Sequence, residues 1–310
     1  MKKALSFSLI LFFILYMYYS KYFVLAVYNS IIICIKIVIP TFFIPLLIIE
    51  IFLSYNLYKS PVSYLCRVLK PLMSVNESEV FVIMVGILCG YPSGVKTATS
   101  LLNKNKISLY QYKKIIKICN NPSPAFVIVI FYPIINQLGF TLIQVLFFTY
   151  GASLIITFLL FSKKINRLNH NIKPAFLCQA SSVRKQATAT FSDIFISVGN
   201  TLYVICTNIV IFSTFSSLLK SIFAPNKVLS MCSLFIEITS NITSIHPNDY
   251  FDGLILTIFL MFGGLSVCFQ TFCIMNKPDL ILEYIKGRIL VCVSSALIYS
   301  CIFIINKTPF

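Results

Sequence analysis

The sequence predicts an all-α, polytopic integral membrane protein made of two pseudo-repeats that contain broken or re-entrant helices. Three observations predict it. The first is composition: of 310 residues, 58% are hydrophobic and 11% charged, where soluble domains carry about 25% charged residues. A mean hydropathy of +0.89 agrees. The second is a recurring series of long runs without a single charge. The third is a set of shorter apolar runs that end in glycine, proline and asparagine. Disorder is excluded, because disordered chains are polar and charge-rich. A secreted disulfide scaffold is excluded too, because the 11 cysteines lack framework spacing. The 25 Lys+Arg against 9 Asp+Glu, a net +16, read as cytoplasmic loops obeying the positive-inside rule rather than as a nucleic-acid footprint.

A spanning helix needs about 20 mostly apolar residues. Residues 5–20 are a first span; no small-residue cleavage site follows, so a signal peptide is rejected. Residues 24–34, between Lys21 and Lys36, are too short to cross and are expected as an interfacial or tilted helix. Residues 37–55 form a span with one internal acid, Glu50. Residues 140–161, 198–219, 254–275 and 289–305 are charge-free spans. Runs 80–89, 125–135 and 228–238 are too short to cross and abut Gly90-Tyr91-Pro92-Ser93-Gly94, Asn120-Asn121-Pro122-Ser123-Pro124 and Thr239-Ser240-Asn241. Such runs read as broken helices. Their freed backbone groups must face protein or a wet cavity, so the breaks are the first place to seek a solute site. The polar connection 162–186 carries Lys163, Lys164, Arg167, Lys173, Arg184 and Lys185 without an acid, which places it in the cytoplasm. Lys113, Lys114 and Lys117 sit at helical spacing, as on an interfacial helix over anionic lipid.

The order of spans and breaks is duplicated. An N-terminal span and interfacial helix (1–35) precede a first repeat (36–162), a basic linker (163–192) and a second repeat (193–310). Paired broken helices in corresponding halves point to a transporter-type fold with a midplane site. A helical bundle whose Gly and Pro serve only packing has the same order.

Gly86, Gly90 and Gly94 stand in overlapping G-x-x-x-G steps, which permit close backbone approach. Packing does not account for Pro92, or for Lys96 one turn on, whose charge implies a partner or a wet cavity. The segment is not a phosphate loop, since Lys96 does not directly follow Gly94. Ser93-x-x-Lys96 lacks the companion motifs of acyl-serine enzymes. No nucleophile–base pair is visible, and an enzyme is not expected. Glu50 and Glu237 are the acids expected within the membrane. Glu237, beside a break, reads either as a cation or proton site or as the ion-pair partner of Lys96. Asn120, Asn121, Ser266 and Gln270 offer hydrogen bonds to a solute or between helices. The cysteines have no ligand spacing, and neither a metal nor a cofactor is expected.

Gly86-Ile-Leu-Cys-Gly-Tyr-Pro-Ser-Gly-Val-Lys-Thr97, Cys119-Asn-Asn-Pro-Ser-Pro-Ala-Phe126, Glu237-Ile-Thr and Phe262-Gly-Gly-Leu-Ser-Val-Cys-Phe-Gln270, in that order, resemble the sporulation integral membrane protein (YlbJ-like) family, which is grouped with nucleoside-recognition or Gate domains. Val38-Ile-Pro-Thr-Phe-Phe-Ile-Pro45 is similar to that family's proline-aromatic span. The resemblance implies a multipass protein of the bacterial cytoplasmic membrane or of the membrane around the developing spore, required for endospore formation. The expected function is permeation of a small, nucleoside-like or spore-metabolite solute. Gly90, Tyr91, Pro92, Ser93, Gly94, Lys96, Asn120, Asn121, Glu237, Ser266 and Gln270 are the expected binding residues. Expected partners are the lipid bilayer, the solute, and a second copy or other sporulation membrane proteins; nucleic acid is not among them. The competing reading is a non-transporting scaffold for spore assembly that uses the basic loops 104–117 and 163–185.

Overall fold

A computed structural model describes residues 2–162, 190–223 and 226–307. The basic connection expected at 162–186 therefore lies, beyond Ser162, outside the described residues. The described chain is α-helical, and five of its helices are long and apolar enough to cross a membrane. It is an all-α membrane protein.

The first helix, α1 (Lys2–Tyr18), is followed after Tyr19 by α2, which runs from Ser20 to Ser54 over 35 residues. The sequence expectation of a short interfacial helix at 24–34 is corrected here. That segment continues through a π-helical turn at Cys34–Val38 into the proline-bearing span. Lys21 and Lys36 do not end the helix, because lysine is a good helix former and both side chains are exposed. The π turn takes up the register just before Pro40.

Next come the amphipathic α3 (Lys59–Leu69), then α4 (Glu77–Leu88) and α5 (Ser93–Asn103), separated at Gly90. Asn76 starts α4 with a capping box: its side chain accepts from Glu79 N at 2.9 Å, and the Glu79 carboxylate accepts from Asn76 N at 2.7 Å. After α6 (Leu109–Ile115), an apolar helix α7 spans Pro124–Leu138 with a π turn at Val127–Phe131. Helix α8 (Leu142–Phe161) follows, capped by the reciprocal bonds of Thr141 and Gln144.

In the second half, α9 (Phe191–Ile222) is continuous. Helix α10 (Lys227–Ile236) stops at Glu237 and a short α11 (Ile238–Asn241) restarts there. The break falls at the acid itself rather than at Thr239-Ser240-Asn241. Helices α12 (Tyr250–Phe262) and α13 (Gly264–Met275) divide the expected span 254–275 at Gly263, whose φ of +89° only glycine adopts at no steric cost. Finally α14 (Ile281–Lys307) carries residues 281–288 and the expected span 289–305 in one helix. No proline or glycine pair stops it, and the apolar face continues through both.

The two largest apolar cores among the described residues each draw on both halves of the chain. One packs Leu53, Val82 and Ile115 with Met261, Tyr284 and Val291. The other packs Phe131, Phe140 and Phe148 with Leu234, Leu256 and Tyr299. Between them, backbone approaches backbone through glycine. A Cβ on Gly94 would sit 1.7 Å from the Cys119 carbonyl oxygen, and one on Gly86 would sit 2.1 Å from it. Both glycines of the α4–α5 pair thus pack on one peptide group, as small-residue spacing allows.

Gly94→Ala is expected to destabilise the fold by about 1–3 kcal/mol or more, the range for overpacking a filled site. Gly199→Ala, where a Cβ meets nothing within 4 Å, is expected to be neutral or slightly stabilising in mid-helix. Thermal midpoints of the two variants in the same detergent check the contrast.

Candidate functional site

The four interruptions meet. On Gly90, which has φ +79°, a Cβ would lie 2.7 Å from Ser123 N, so the Gly90–Pro92 junction leans on the start of α7. Ser123 caps that start by accepting from Phe126 N at 3.2 Å. In the second half, a Cβ on Gly264 would lie 2.8 Å from the Phe235 carbonyl oxygen, which brings the α12–α13 break onto the end of α10. A cavity of about 160 Å³ lies where the two pairs face each other. Its polar lining comes from Thr41, Tyr91, Ser123, Thr239 and Gln270, and apolar walls from α2, α7 and α9 close it. Every break contributes: Tyr91 from the first, Ser123 from the second, Thr239 beside Glu237, and Gln270 nearly two turns into α13.

The expected binding residues separate into groups. Gly90, Pro92 and Gly94 shape the junction, whose Tyr91–Pro92 peptide is cis. Gly94 is there for packing. Tyr91 lines the cavity, and its hydroxyl is buried without a hydrogen-bond partner among the described residues. Ser93 Oγ is buried and unpartnered as well. Asn120 donates through Nδ2 to Tyr284 Oη at 2.7 Å and Thr271 Oγ1 at 3.1 Å, while its Oδ1 has no partner. Asn121 is fully engaged in structure: it donates to the Ile118 carbonyl at 2.9 Å and accepts from Ser153 Oγ of α8. Gln270 donates to Ser266 Oγ at 3.2 Å, so Ser266 orients Gln270 within the cavity wall.

Lys96 does not pair with Glu237. Its Nζ lies 2.7 Å from Glu50 Oε1, and both side chains are under a tenth exposed. Ser197 Oγ donates to the same Oε1 at 2.8 Å, and Lys96 also donates to the Ser197 carbonyl at 3.4 Å. The pair spacing was illegible because Glu50, Lys96 and Ser197 come from α2, α5 and α9. The two charges satisfy each other away from the residues that line the cavity, so Lys96 is withdrawn from the list of solute-facing groups.

Glu237 is fully buried. Its carboxylate accepts from Thr239 N at 3.0 Å, Ser240 N at 2.6 Å and the Ser240 hydroxyl. The acid thus caps the helix that begins after it. Asn241 Nδ2 donates to the Glu237 carbonyl at 2.8 Å, and Lys220 donates to Asn241 Oδ1 at 2.6 Å.

One residue outside the sequence expectation dominates the neighbourhood. Arg288 is 0% exposed, and none of its three guanidinium nitrogens has a hydrogen-bond partner among the described residues. No carboxylate of the described residues comes within the 4.0 Å of an ion pair. Its position follows from Gly287, on which a Cβ would fall 2.3 Å from Lys117 Cα; helix α14 is pressed onto the segment that leads to Asn120. Tyr284, one turn earlier, holds Asn120. The guanidinium charge acts on Tyr91, Cys119, Cys268, Tyr284 and Cys292. The expected last span begins at Ile289 and so leaves Arg288 just outside it. No local signal marks it, since Glu283 and Lys286 interrupt the apolar residues before Arg288.

Lys96→Met is expected to destabilise by about 3–5 kcal/mol, because it leaves a buried carboxylate with neutral donors only. The double variant Glu50→Gln/Lys96→Met is expected to recover most of that loss. Thermal midpoints and monodisperse yield in detergent check it. Comparison with family models, curated proteins and solved structures finds no match to this chain.

Proposed function

We propose that this chain is a multipass permease-like protein that passes a small anionic solute through the cavity where its interrupted helices converge. The observation that carries the reading is Arg288, fully buried with no partner among the described residues. Removing a guanidinium from water costs several kcal/mol unless an anion and hydrogen bonds replace the water. An intramembrane cation is therefore a functional-site hypothesis. Arg288 is not itself a lining residue; Tyr91, which is, carries a buried hydroxyl with no hydrogen-bond partner among the described residues and lies within the electrostatic reach of Arg288. Ser93 Oγ and Asn120 Oδ1, both unpartnered, belong to the same junctions. A planar carboxylate or a phosphate group suits the guanidinium fork. The mostly apolar walls suit the carbon skeleton of a small metabolite.

In this reading the interrupted helices are two re-entrant pairs, one per pseudo-repeat, and relative movement about the cavity gives access from either side. The setting follows the YlbJ-like resemblance: the bacterial cytoplasmic membrane, or the membrane around the developing spore, during endospore formation.

Proteoliposomes loaded with the purified chain are expected to take up labelled succinate or inorganic phosphate above protein-free vesicles. Uridine serves as a neutral comparison. Arg288→Gln is expected to lose uptake by on the order of tenfold to a hundredfold, the worth of one charge-assisted hydrogen-bonding group. Arg288→Lys is expected to recover little of it, since an ammonium lacks the planar fork. Uptake of uridine alone, unaffected by either variant, overturns the anionic reading. No uptake of any solute favours the scaffold reading.

A further inference from the structure

The cavity has a polar side and a thin apolar side. The polar groups at the breaks are sheltered: Ser123 and Gln270 are buried, and Tyr91 and Thr239 are half-buried. The walls given by α2 and α7 are not. Ile37 and Thr41 of α2, and Ala125 and Val129 of α7, line the cavity and are also exposed on the outer surface. Val129 is 69% exposed and Ile37 46%. Where one residue does both, the wall is a single side chain thick. No helix seam reinforces it, because α2 packs along α9, while α7 packs on Ile242–Ser244 of the second half. Side chains alone cover the gap between α2 and α7.

Two measures of depth put this wall in the hydrocarbon layer, whose thickness is about 30 Å. Ile37 stands midway along α2, 17 residues from Ser20 and from Ser54, roughly 25 Å from either end. Val129 stands nine residues before the Leu138 end of α7, roughly 14 Å along it. There Gly139 turns the chain into the 20-residue α8, so this end marks a membrane surface. Lipid chains, not water, therefore lie against Ile37, Ala125 and Val129. A water-borne solute gains nothing from a thin wall on that side. A molecule with an apolar chain and a polar head fits both sides of the cavity, the chain toward α2 and α7 and the head toward Tyr91 and Gln270. At about 160 Å³ the cavity is small for a two-chain lipid.

We propose that the solute is an anionic amphiphile with one apolar chain, a fatty acid or a chain-bearing phosphate monoester, and that it enters from the bilayer between α2 and α7. The charge of the head rests on the anionic reading of Arg288. The chain and the route do not, since a water-borne anion would fill the cavity without crossing that gap.

The test uses the purified full-length chain in phosphatidylcholine vesicles and dibromostearate, whose bromines quench indole fluorescence on contact. The sequence holds no tryptophan, so Phe126→Trp in the cavity wall gives a single reporter. Phe147→Trp, at a position 56% exposed on α8, reports bulk lipid. Quenching of Phe126→Trp is expected to saturate as the dibromostearate fraction rises, and that of Phe147→Trp to grow in proportion to it. Adding Thr41→Phe and Val129→Phe to the Phe126→Trp chain fills the gap from exposed positions. The pair is expected to raise the half-saturating fraction by about tenfold, the order of cost for overfilling a path. The methyl ester keeps the chain and loses the charge, and is expected to need about tenfold more as well, the worth of one charge-assisted contact.

Quenching of Phe126→Trp that never saturates, or saturation that the two phenylalanines leave unchanged, overturns lateral entry; uptake of succinate or phosphate then still decides the anionic reading by itself. Acid and ester that saturate alike support lateral entry and overturn the anionic head. Phenylalanines that leave quenching unchanged and turn a dimer into a monomer by light scattering put a second copy over the wall, and also overturn the proposal. If those variants do not fold, a diazirine-bearing stearate on the wild type decides. Adducts concentrated at 37–41 and 125–129 support entry there, and adducts spread evenly over the lipid-facing helices overturn it.

Discussion

The short stretch of backbone from Lys117 to Cys119 is the contact on which the arrangement depends. Gly86 and Gly94 pack on its Cys119 carbonyl, and Gly287 packs on its Lys117 backbone. Three helices from distant parts of the sequence reach one peptide segment because each lacks a side chain at the point of approach. The consequences run outward in order. Asn120 to Ser123 are delivered to the Gly90 junction. Tyr284, one turn before Arg288, receives the Asn120 amide. The guanidinium is then drawn into the interior rather than left at a helix end. A larger residue at any of the three glycines would separate the helices and dismantle the site before touching a polar group.

The interior handles its charges in three different ways. Lys96 and Glu50 cancel each other directly, with Ser197 completing the carboxylate. Glu237 is satisfied by the backbone of the helix it starts, a use of the positive helix end. Arg288 has neither solution. Two of the three are therefore explained by structure alone. The third gains an explanation only when something else enters the cavity region, and this contrast singles it out.

Much of this was legible in the sequence. Charge-free runs gave the long helices, since apolar length has a single use in a bilayer. Gly90 and the proline cluster at 122–124 marked two of the interruptions, because their backbone chemistry is local, whereas the one at Gly263 lay inside what reads as a continuous span. The fourth, at Glu237, was misplaced by a few residues: a carboxylate capping the following helix leaves no glycine or proline to read. Partnerships were not legible. Glu50 with Lys96, and Asn121 with Ser153, are contacts between segments far apart in sequence, and spacing carries no record of them. Arg288 was missed because the sign of its environment depends on which side of α14 packs inward, a tertiary fact.

The tie among Glu50, Lys96 and Ser197 also bears on how the molecule divides mechanically. It joins α2 and α5, from the first half of the sequence, to α9 of the second. Helix α9 packs along α2 through a separate apolar cluster of Cys34, Val38, Ile205 and Ile209. Halves delimited by the basic linker are thus not independent bodies: α9 is fastened to the first half by an ion pair that water does not reach. Helix α9 is tied to the second half as well, where Ser213 Oγ and Ser240 Oγ lie 3.1 Å apart and Lys220 donates to Asn241 Oδ1 at 2.6 Å, so it bridges the two halves rather than belonging to one.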